Sequence, residues 1–359
     1  MHGKVEVDLC RNCGGLWFEE GELKKVLRQS DPTKAVRNVF AHSSEKSGKE
    51  SDRGCADCNS LMKRFRVKKT GVEAEQCDAC GGIWLESGML EKLAVIGQAE
   101  QVRVDLEQDP TIGDWLLQFF AGLPREFNCR PKKFPILTVS LIALNSLVFL
   151  FSIFHPSLPF DDFLSSYGLI PVDFPETRWG LTLFGSQFLH GGFFHLLGNM
   201  YFLYLFGDNI EDVLGRIGFL LLYVLGGALA GAAETFSSMG SEIPVVGASG
   251  AVAAIGGAYI VIFRKAQLTA MFIWLQFKIP AIWAIGLWFA FNSFALFVDF
   301  PGVAWAAHIA GLIIGVGVGS LAYRGVMTAN PILQYLNDAK HLHSRFHPRL
   351  RGKRKDGGS

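Results

Sequence analysis

Two sets of residues have types and spacings suited to chemistry. The first is a group of polar side chains in apolar surroundings: His190, His195 and Asn199 in one stretch, Ser249 in Gly247-Ala248-Ser249-Gly250, and His308 in a run with Ala307, Gly311 and Gly315. Hydrocarbon offers no water to such groups, so each needs a protein partner or a function. Together they contain what a buried hydrolytic site requires: a weak nucleophile, a base, and donors for a developing oxyanion. His195 and Asn199, at i and i+4, share one helical face. Taken singly, Ser249 is explained by close helix packing, and His308 and Asn199 by interhelical hydrogen bonds. Their joint occurrence favours the chemical reading.

The second set is six of the seven cysteines, which fall as three C-x-x-C pairs near the N-terminus. Cys55, Cys58, Cys77 and Cys80 have the spacing by which two knuckles offer four thiolates to one tetrahedral zinc. Four thiolates leave no open coordination position, so the expected zinc is structural, holding together a ribbon too small to fold on its own core. Between the knuckles, apolar and basic residues alternate from Leu61 to Gln76 and break at Thr70-Gly71, which predicts a β-hairpin. The segment is also a repeat: Cys10-Arg-Asn-Cys13-Gly-Gly-Leu-Trp17 returns as Cys77-Asp-Ala-Cys80-Gly-Gly-Ile-Trp84. The first copy lacks the upstream pair, so Cys10 and Cys13 are candidate ligands of half a site. Either the true start lies further upstream, the preferred expectation, or the copy is a remnant. No apolar run precedes Cys13, which predicts a cytoplasmic start, and Cys129 is expected to be a free thiol. Lys63, Arg64, Arg66, Lys68 and Lys69 form either a surface for a cytosolic protein partner or a solvated strand face, with nucleic acid disfavoured.

Positioning the first set requires a membrane domain. A chain with 50% apolar residues, 13% aromatics and 40 glycines, unevenly distributed, is not one soluble domain. Charge-free runs at 134–154, 179–207, 217–233, 243–263, 279–298 and 300–323 predict six spans. The segment 266–277 is too short to span and is read as a cytoplasmic-side connection or an extension of the fifth helix. Lys132, Lys133, Arg264, Lys265, Lys278 and Arg324 then lie at inner ends, and the proline-rich, acidic connection from His155 to Arg178 lies outside. Ile112, Trp115, Leu116, Phe119 and Phe120 have the spacing of an interfacial helix, or of one packed on the cytosolic side. The resulting division is a truncated ribbon repeat at 1–30, a complete four-cysteine ribbon at 52–98, a juxtamembrane segment at 99–130, a membrane domain at 131–325 and a basic cytoplasmic tail at 326–359. The fold class is an all-α polytopic membrane domain of six transmembrane helices with a small N-terminal β zinc ribbon. A transporter or channel is disfavoured, because the spans carry no Asp, Glu, Lys or Arg in their interiors and no inverted repeat is evident.

His195-x-x-x-Asn199, Gly247-Ala248-Ser249-Gly250 and Ala307-His308-x-x-Gly311-x-x-x-Gly315 resemble, in this order, the motifs of the rhomboid family of intramembrane serine proteases. Tyr167-Gly168-Leu169-Ile170-Pro171 and Gln187-Phe188-Leu189-His190-Gly191-Gly192 are similar to what that family carries before and at its second span. The resemblance covers Pro131 to Arg324. It implies a Ser-His dyad in which Ser249 attacks the scissile carbonyl and His308 accepts its proton, with His195, Asn199 and the Ser249 backbone N–H stabilising the oxyanion, and no metal or cofactor taking part in the chemistry. It further implies transmembrane protein substrates in a lipid bilayer, a bacterial inner membrane location with both termini cytoplasmic, and a site facing the outer side. The alternative is an inactive rhomboid-like adaptor that recruits cytosolic partners through its ribbons. Two positions depart from the family pattern. Ala253 stands where many members carry an aromatic that packs on the histidine, so either another side chain orients His308 or it is held less firmly, and Arg178-Trp179 reverses a Trp-Arg order.

Overall fold

The computed structural model describes residues 7–29, 44–67, 72–96, 124–126, 131, 133–173, 180–272, 275–298 and 303–338. The expectations about Cys129, Lys68, Lys69, the Thr70-Gly71 turn, the Arg178-Trp179 order, the helix around Trp115 and the tail beyond Asp338 lie outside the described residues.

The N-terminal head is one mixed unit: β1 (Asp8–Leu9), β2 (Leu16–Phe18), α1 (Glu22–Gln29), β3 (Ser44–Gly54), β4 (Leu61–Val67), β5 (Val72–Gln76), β6 (Ile83–Leu85) and α2 (89–96). The six strands form one sheet in the order β1-β2-β6-β5-β4-β3. The alternation read from Leu61 to Gln76 is realised as the β4–β5 hairpin, with Met62, Phe65, Val72 and Ala74 turned into the core. The two copies of the repeat join through antiparallel β2 and β6, with Trp17 opposite Trp84. Their contact is reciprocal. A Cβ at Gly15 would lie 2.2 Å from the Trp84 ring, and one at Gly82 would lie 2.2 Å from the Trp17 ring. Each repeat's glycine therefore admits the other repeat's tryptophan, which is a reason for Gly-Gly-x-Trp to occur twice.

The basic run on β4 faces acids across the hairpin: Lys63 pairs with Asp78 at 2.6 Å, Arg64 with Glu75 at 3.4 Å, and Arg66 with Glu73. The hydrogen bond and charge of Arg66 hold the Glu73 carboxyl below its usual range. In the described part of the run, Lys63, Arg64 and Arg66 lie on an ion-paired strand face. Such exposed pairs are screened by solvent and contribute little to stability.

The second unit contains α3 (Ile136–Ile153), α4 (Phe160–Tyr167), α5 (Leu181–Gly185), α6 (Phe193–Ser237), α7 (Ser249–Ile262), the hairpin β8 (Gln267–Phe272) and β9 (Leu275–Pro280), α8 (Ala281–Phe297), α9 (Trp305–Ala329) and α10 (Pro331–Asp338). Helices α3, α6 and α9 are long and apolar enough to cross a membrane, and α7 and α8 are shorter apolar helices. The 45 residues of α6 are interrupted at Gly215, where φ is 70° and ψ is 168°. At 1.5 Å per residue, the parts on either side of Gly215 measure roughly 33 Å each, about one hydrocarbon core apiece.

Several boundaries differ from the hydropathy reading. The run from 179 begins not as a long helix but as α5 and a short turn of Ser186–Phe188, with α6 starting at Phe193. The run at 243–263 is helical only from Ser249, because Gly247 has φ of 127°. The segment 266–277 belongs to the β8–β9 hairpin, which pairs with β7 (Arg125–Glu126) into a three-stranded sheet, so it is a connection and not a helix extension. Asp208, Glu211, Asp212 and Glu234 all lie within α6, outside the charge-free runs at 179–207 and 217–233. The Glu211 carboxylate accepts hydrogen bonds from the backbone N–H of Leu137 and Thr138 and from the Thr138 hydroxyl, at 2.8–3.0 Å, capping α3 where its N–H groups would otherwise lack partners.

The tightest packing joins α7 to α9. A Cβ at Gly311 would fall 2.3 Å from the Gly250 carbonyl oxygen, one at Gly315 1.9 Å from that of Ala254, and one at Gly257 2.3 Å from that of Leu312. Backbone meets backbone here, as small-residue stripes allow. Below the bundle, α10 is tied in by Asn337, whose Nδ2 donates to the Ile262 carbonyl at 2.8 Å. Its Leu333 packs on the membrane core and its Tyr335 on the core of the head.

This packing sets an expectation. Gly315→Val should lower the unfolding midpoint in detergent by an amount equivalent to about 1–3 kcal/mol or more, since neither backbone can retreat. Gly317→Ala, where a Cβ meets nothing within 4 Å, should leave the midpoint unchanged or slightly raised. Equal midpoints for the two variants would contradict the close α7–α9 contact.

Candidate functional site

Ser249 is the first residue of α7, so its backbone N–H belongs to the unpaired first turn and sits at the positive end of the helix dipole. The segment leading to it is held in place: Leu169 and Val245 exchange backbone hydrogen bonds of 3.2 and 2.8 Å, and Gly247 N–H donates to the Ser186 carbonyl at 3.0 Å. A side chain at Gly168 would strike the Leu164 carbonyl oxygen at 2.5 Å and Pro244 at 2.9 Å, so the Tyr167-Gly168-Leu169 string is a brace for this segment.

His195 and Asn199, on the first turns of α6, approach the same point. A Cβ at Gly247 would lie 2.8 Å from His195 Cε1 and Nε2 and 3.6 Å from Asn199 Nδ2. Glycine is therefore required at 247 by space as well as by its positive φ. Asn199 is buried, and its Nδ2 has no hydrogen-bond partner among the described residues. His190 is fully buried, with its ring 5.3 Å from that of His195 in an edge-on arrangement.

His308 reaches the site from α9. Ala307, one residue before it, lies against Gly250, one residue after Ser249: a Cβ at Gly250 would be 3.7 Å from the Ala307 oxygen. The structure thus brings Ser249, His308, His195 and Asn199 to one end of the bundle. Its contents are a hydroxyl at a helix N-terminus, an imidazole on the adjacent helix, and an unpaired amide donor.

Three neighbours of His308 were not legible as site residues. Asn292, on α8, places Oδ1 2.7 Å from His308 Nδ1. Trp288, also on α8, sets its ring 5.4 Å from the imidazole, and Trp305 approaches edge-on at 6.1 Å. These contacts come from elements other than α7, which is how a chain with Ala253 surrounds its histidine. Glu234, near the end of α6, accepts a hydrogen bond from Ala307 N–H at 3.0 Å and so caps the first turn of the helix that carries His308. An Asn at i+4 from a Trp in an apolar run was the available signal for Asn292, but it does not say which helix it faces.

In the head, the Sγ atoms of Cys55, Cys58, Cys77 and Cys80 all lie within 4.8 Å of one another, with Cys55 and Cys80 at 3.5 Å and Cys58 and Cys77 at 3.4 Å. Tetrahedral zinc with bonds near 2.3 Å would hold sulfurs about 3.8 Å apart, so the four thiolates fit such an ion. The Ser60 hydroxyl, then the Ser60 backbone N–H and the neighbouring thiols Cys77 and Cys55, bring the Cys58 thiol down to about 6, which favours the thiolate ligand form. Cys10 and Cys13 adopt the same knuckle, with Cys10 N–H donating to the Gly15 carbonyl at 2.9 Å as Cys77 does to Gly82. Among the described residues, only the four-cysteine group brings three or more metal-ligating side chains together.

A helical membrane domain with a small-residue-packed Ser and His, behind a β head with a four-cysteine cluster, defines the class. The family model for the rhomboid domain matches residues 177–325, and that for a transcription factor zinc-finger ribbon matches residues 2–29 and 54–95. The chain thus carries a rhomboid domain behind a zinc-ribbon head. It is 30% identical over 170 residues to rhomboid protein 1, mitochondrial, of Saccharomyces cerevisiae, a match covering 44% of this chain and 45% of that protein. It is 32% identical over 138 residues to the putative rhomboid protease YdcA of Bacillus subtilis, covering 37% of this chain and 66% of the relative. Against the presenilin-associated rhomboid-like protein, mitochondrial, of Bos taurus it is 27% identical over 137 residues, covering 36% and 35%. Each match spans less than two thirds of the relative's length.

The head makes a metal-dependent prediction. Purified protein should contain about one zinc per chain, and Cys77→Ser should lose it. Stripping zinc with a strong chelator should render residues 44–96 sensitive to protease while the helical circular dichroism persists, because metal ligation is most of what folds so small a core. Unchanged protease resistance of the stripped head would show that the sheet holds without metal.

Proposed function

We propose that this chain is an intramembrane serine endopeptidase that hydrolyses peptide bonds in or near transmembrane segments of other membrane proteins. One observation carries the reading: Ser249 at the start of α7 and His308 on α9 flank the Gly250–Ala307 contact, while His195 and the unpaired Asn199 Nδ2 converge on Gly247 beside them. Six spans accommodate this arrangement: α3, the two parts of α6 on either side of Gly215, α7, α8 and α9. The 14 residues of α7 give a helix of roughly 21 Å, so with its C-terminal end at the inner boundary Ser249 lies below the outer surface of an about 30 Å core.

In the proposed reaction Ser249 Oγ bonds to the scissile carbonyl carbon as its proton passes to His308 Nε2. The carbonyl oxygen becomes an oxyanion facing Asn199 Nδ2, His195 and the backbone N–H of Ser249 at the helix N-terminus. His308 then returns the proton to the leaving amine nitrogen as the C–N bond breaks, and water hydrolyses the acyl-enzyme by the same base. No step needs a metal. The zinc of the head is structural in this reading, and the ribbon is a place for a cytosolic protein partner. The basic residues Arg264, Lys265 and Arg324 at the α10 end support an orientation in a bacterial inner membrane with both termini cytoplasmic and the site towards the outer side.

Cleavage of a model transmembrane substrate and labelling by a fluorophosphonate should both vanish in Ser249→Ala and in His308→Ala. A folded wild type that neither cleaves nor labels would instead make this chain a membrane adaptor. With an active wild type, Asn199→Ala should retain labelling and slow cleavage by about a hundredfold, the usual consequence of removing one oxyanion donor. A rate unaltered by that change would remove Asn199 from the oxyanion site.

A further inference from the structure

A general base must offer a bare ring nitrogen to the nucleophile, and a neutral imidazole has one bare and one protonated nitrogen. The histidine side chain in water favours the proton on Nε2, which is the nitrogen that would have to accept from Ser249. Something in the protein must therefore place the proton on Nδ1. We propose that Asn292 is a positioning residue that holds His308 as the Nδ1–H tautomer and leaves Nε2 free to take the serine proton. This inference rests on the Ser249–His308 dyad proposed above.

The hydrogen-bond geometry around Asn292 fixes its direction. Asn292 is fully buried in α8. Its Nδ2 lies 2.6 Å from the carbonyl oxygen of Trp288, one turn earlier, and a carbonyl oxygen only accepts. That contact orients the amide with its NH2 towards Trp288, so the atom 2.7 Å from His308 Nδ1 is the carbonyl oxygen Oδ1. Oδ1 cannot donate, and Nδ1 must therefore carry the hydrogen. Trp288, on the same face of α8 as Asn292, lays its ring over the imidazole at 5.4 Å and 33°, while Trp305 closes the edge at 6.1 Å and 88°. The tautomer and the ring plane are thus both set from outside α7, where Ala253 offers only a methyl group.

An amide differs from the carboxylate of a Ser-His-Asp arrangement because it carries no charge. It orients the base and fixes its tautomer, but contributes no ionic stabilisation to the imidazolium that forms. Its removal should therefore slow acylation by about 10–100-fold, less than the loss of a triad acid.

The test uses full-length protein in detergent with 15N-labelled histidine, taking the His308 signals by difference against His308→Ala, together with kcat and KM on a model transmembrane substrate. Wild type should show a proton on Nδ1 and a bare Nε2. Asn292→Leu should lose that preference and lower kcat by about 10–100-fold with KM changed by less than about threefold. Asn292→Asp, which restores an acceptor at Nδ1, should recover most of both. A wild-type His308 protonated on Nε2 overturns the inference, as does an Asn292→Leu protein that keeps the wild-type tautomer and kcat. If the Leu variant does not fold, the wild-type tautomer decides alone. A wild type that cleaves nothing sinks the protease proposal, and the tautomer readout still decides whether Asn292 sets the ring.

Discussion

The contact between α7 and α9 is the constraint on which the site depends. Carbonyl oxygens of Gly250 and Ala254 occupy the space where Gly311 and Gly315 lack a Cβ, and the Leu312 carbonyl does the same opposite Gly257. Apolar side chains give no net attraction in lipid over what lipid itself provides, so helices there associate through close van der Waals packing and polar contacts. Because backbone rather than flexible side chain forms the interface, the relative height and rotation of the two helices have little freedom. Ser249 and His308, each one residue from that interface, inherit this rigidity.

Polar groups within the bundle serve the ends of other elements or tie one helix to another. Glu211 caps α3, Glu234 caps α9, and Asn145 Nδ2 reaches the Tyr223 hydroxyl at 3.1 Å to join α3 to α6. A helix terminus in an apolar medium has N–H groups with no partner, and a carboxylate from a neighbouring helix satisfies two or three of them at once. Asn292 fits the same logic, except that what it satisfies is a ring nitrogen. These groups turn a set of apolar helices into a unique arrangement, because each specifies a partner that packing alone does not.

The head uses different physics. Its sheet is small, and its centre is the pair of tryptophans each seated on the other repeat's glycine, beside a four-thiolate cluster. Duplication here yields one six-stranded sheet, with the first copy covering the edge that β6 would otherwise expose. Through Tyr335 and α10 the head meets the base of the membrane bundle, so the two units share a packed contact as well as a linker.

Local chemistry was readable from the chain itself. Four cysteines at knuckle spacing and the repeat containing Trp17 and Trp84 depend on residues close in sequence and are realised as the thiol cluster and the β2–β6 pairing; the apolar runs and the His195–Asn199 and Gly247–Gly250 strings are local in the same sense. Hydropathy placed a break between 207 and 217, where Gly215 interrupts the helix, but could not see that the run from 179 would break into short turns before Phe193 or that 267–280 would form a hairpin with Arg125 and Glu126. Those outcomes turn on backbone conformation and on a distant partner strand. Asn292, Glu234 and the pairing of the basic run were invisible for the same reason: a side chain's meaning there is its partner, 16, 73 and about 10 residues away respectively. Sequence by itself determined which groups this protein has available for metal binding and for hydrolysis, because composition and short spacing are local properties. Which of them face one another, and what holds the histidine ring, was decided only by tertiary packing, because direction across a helix interface is a property of two elements and is written in neither alone.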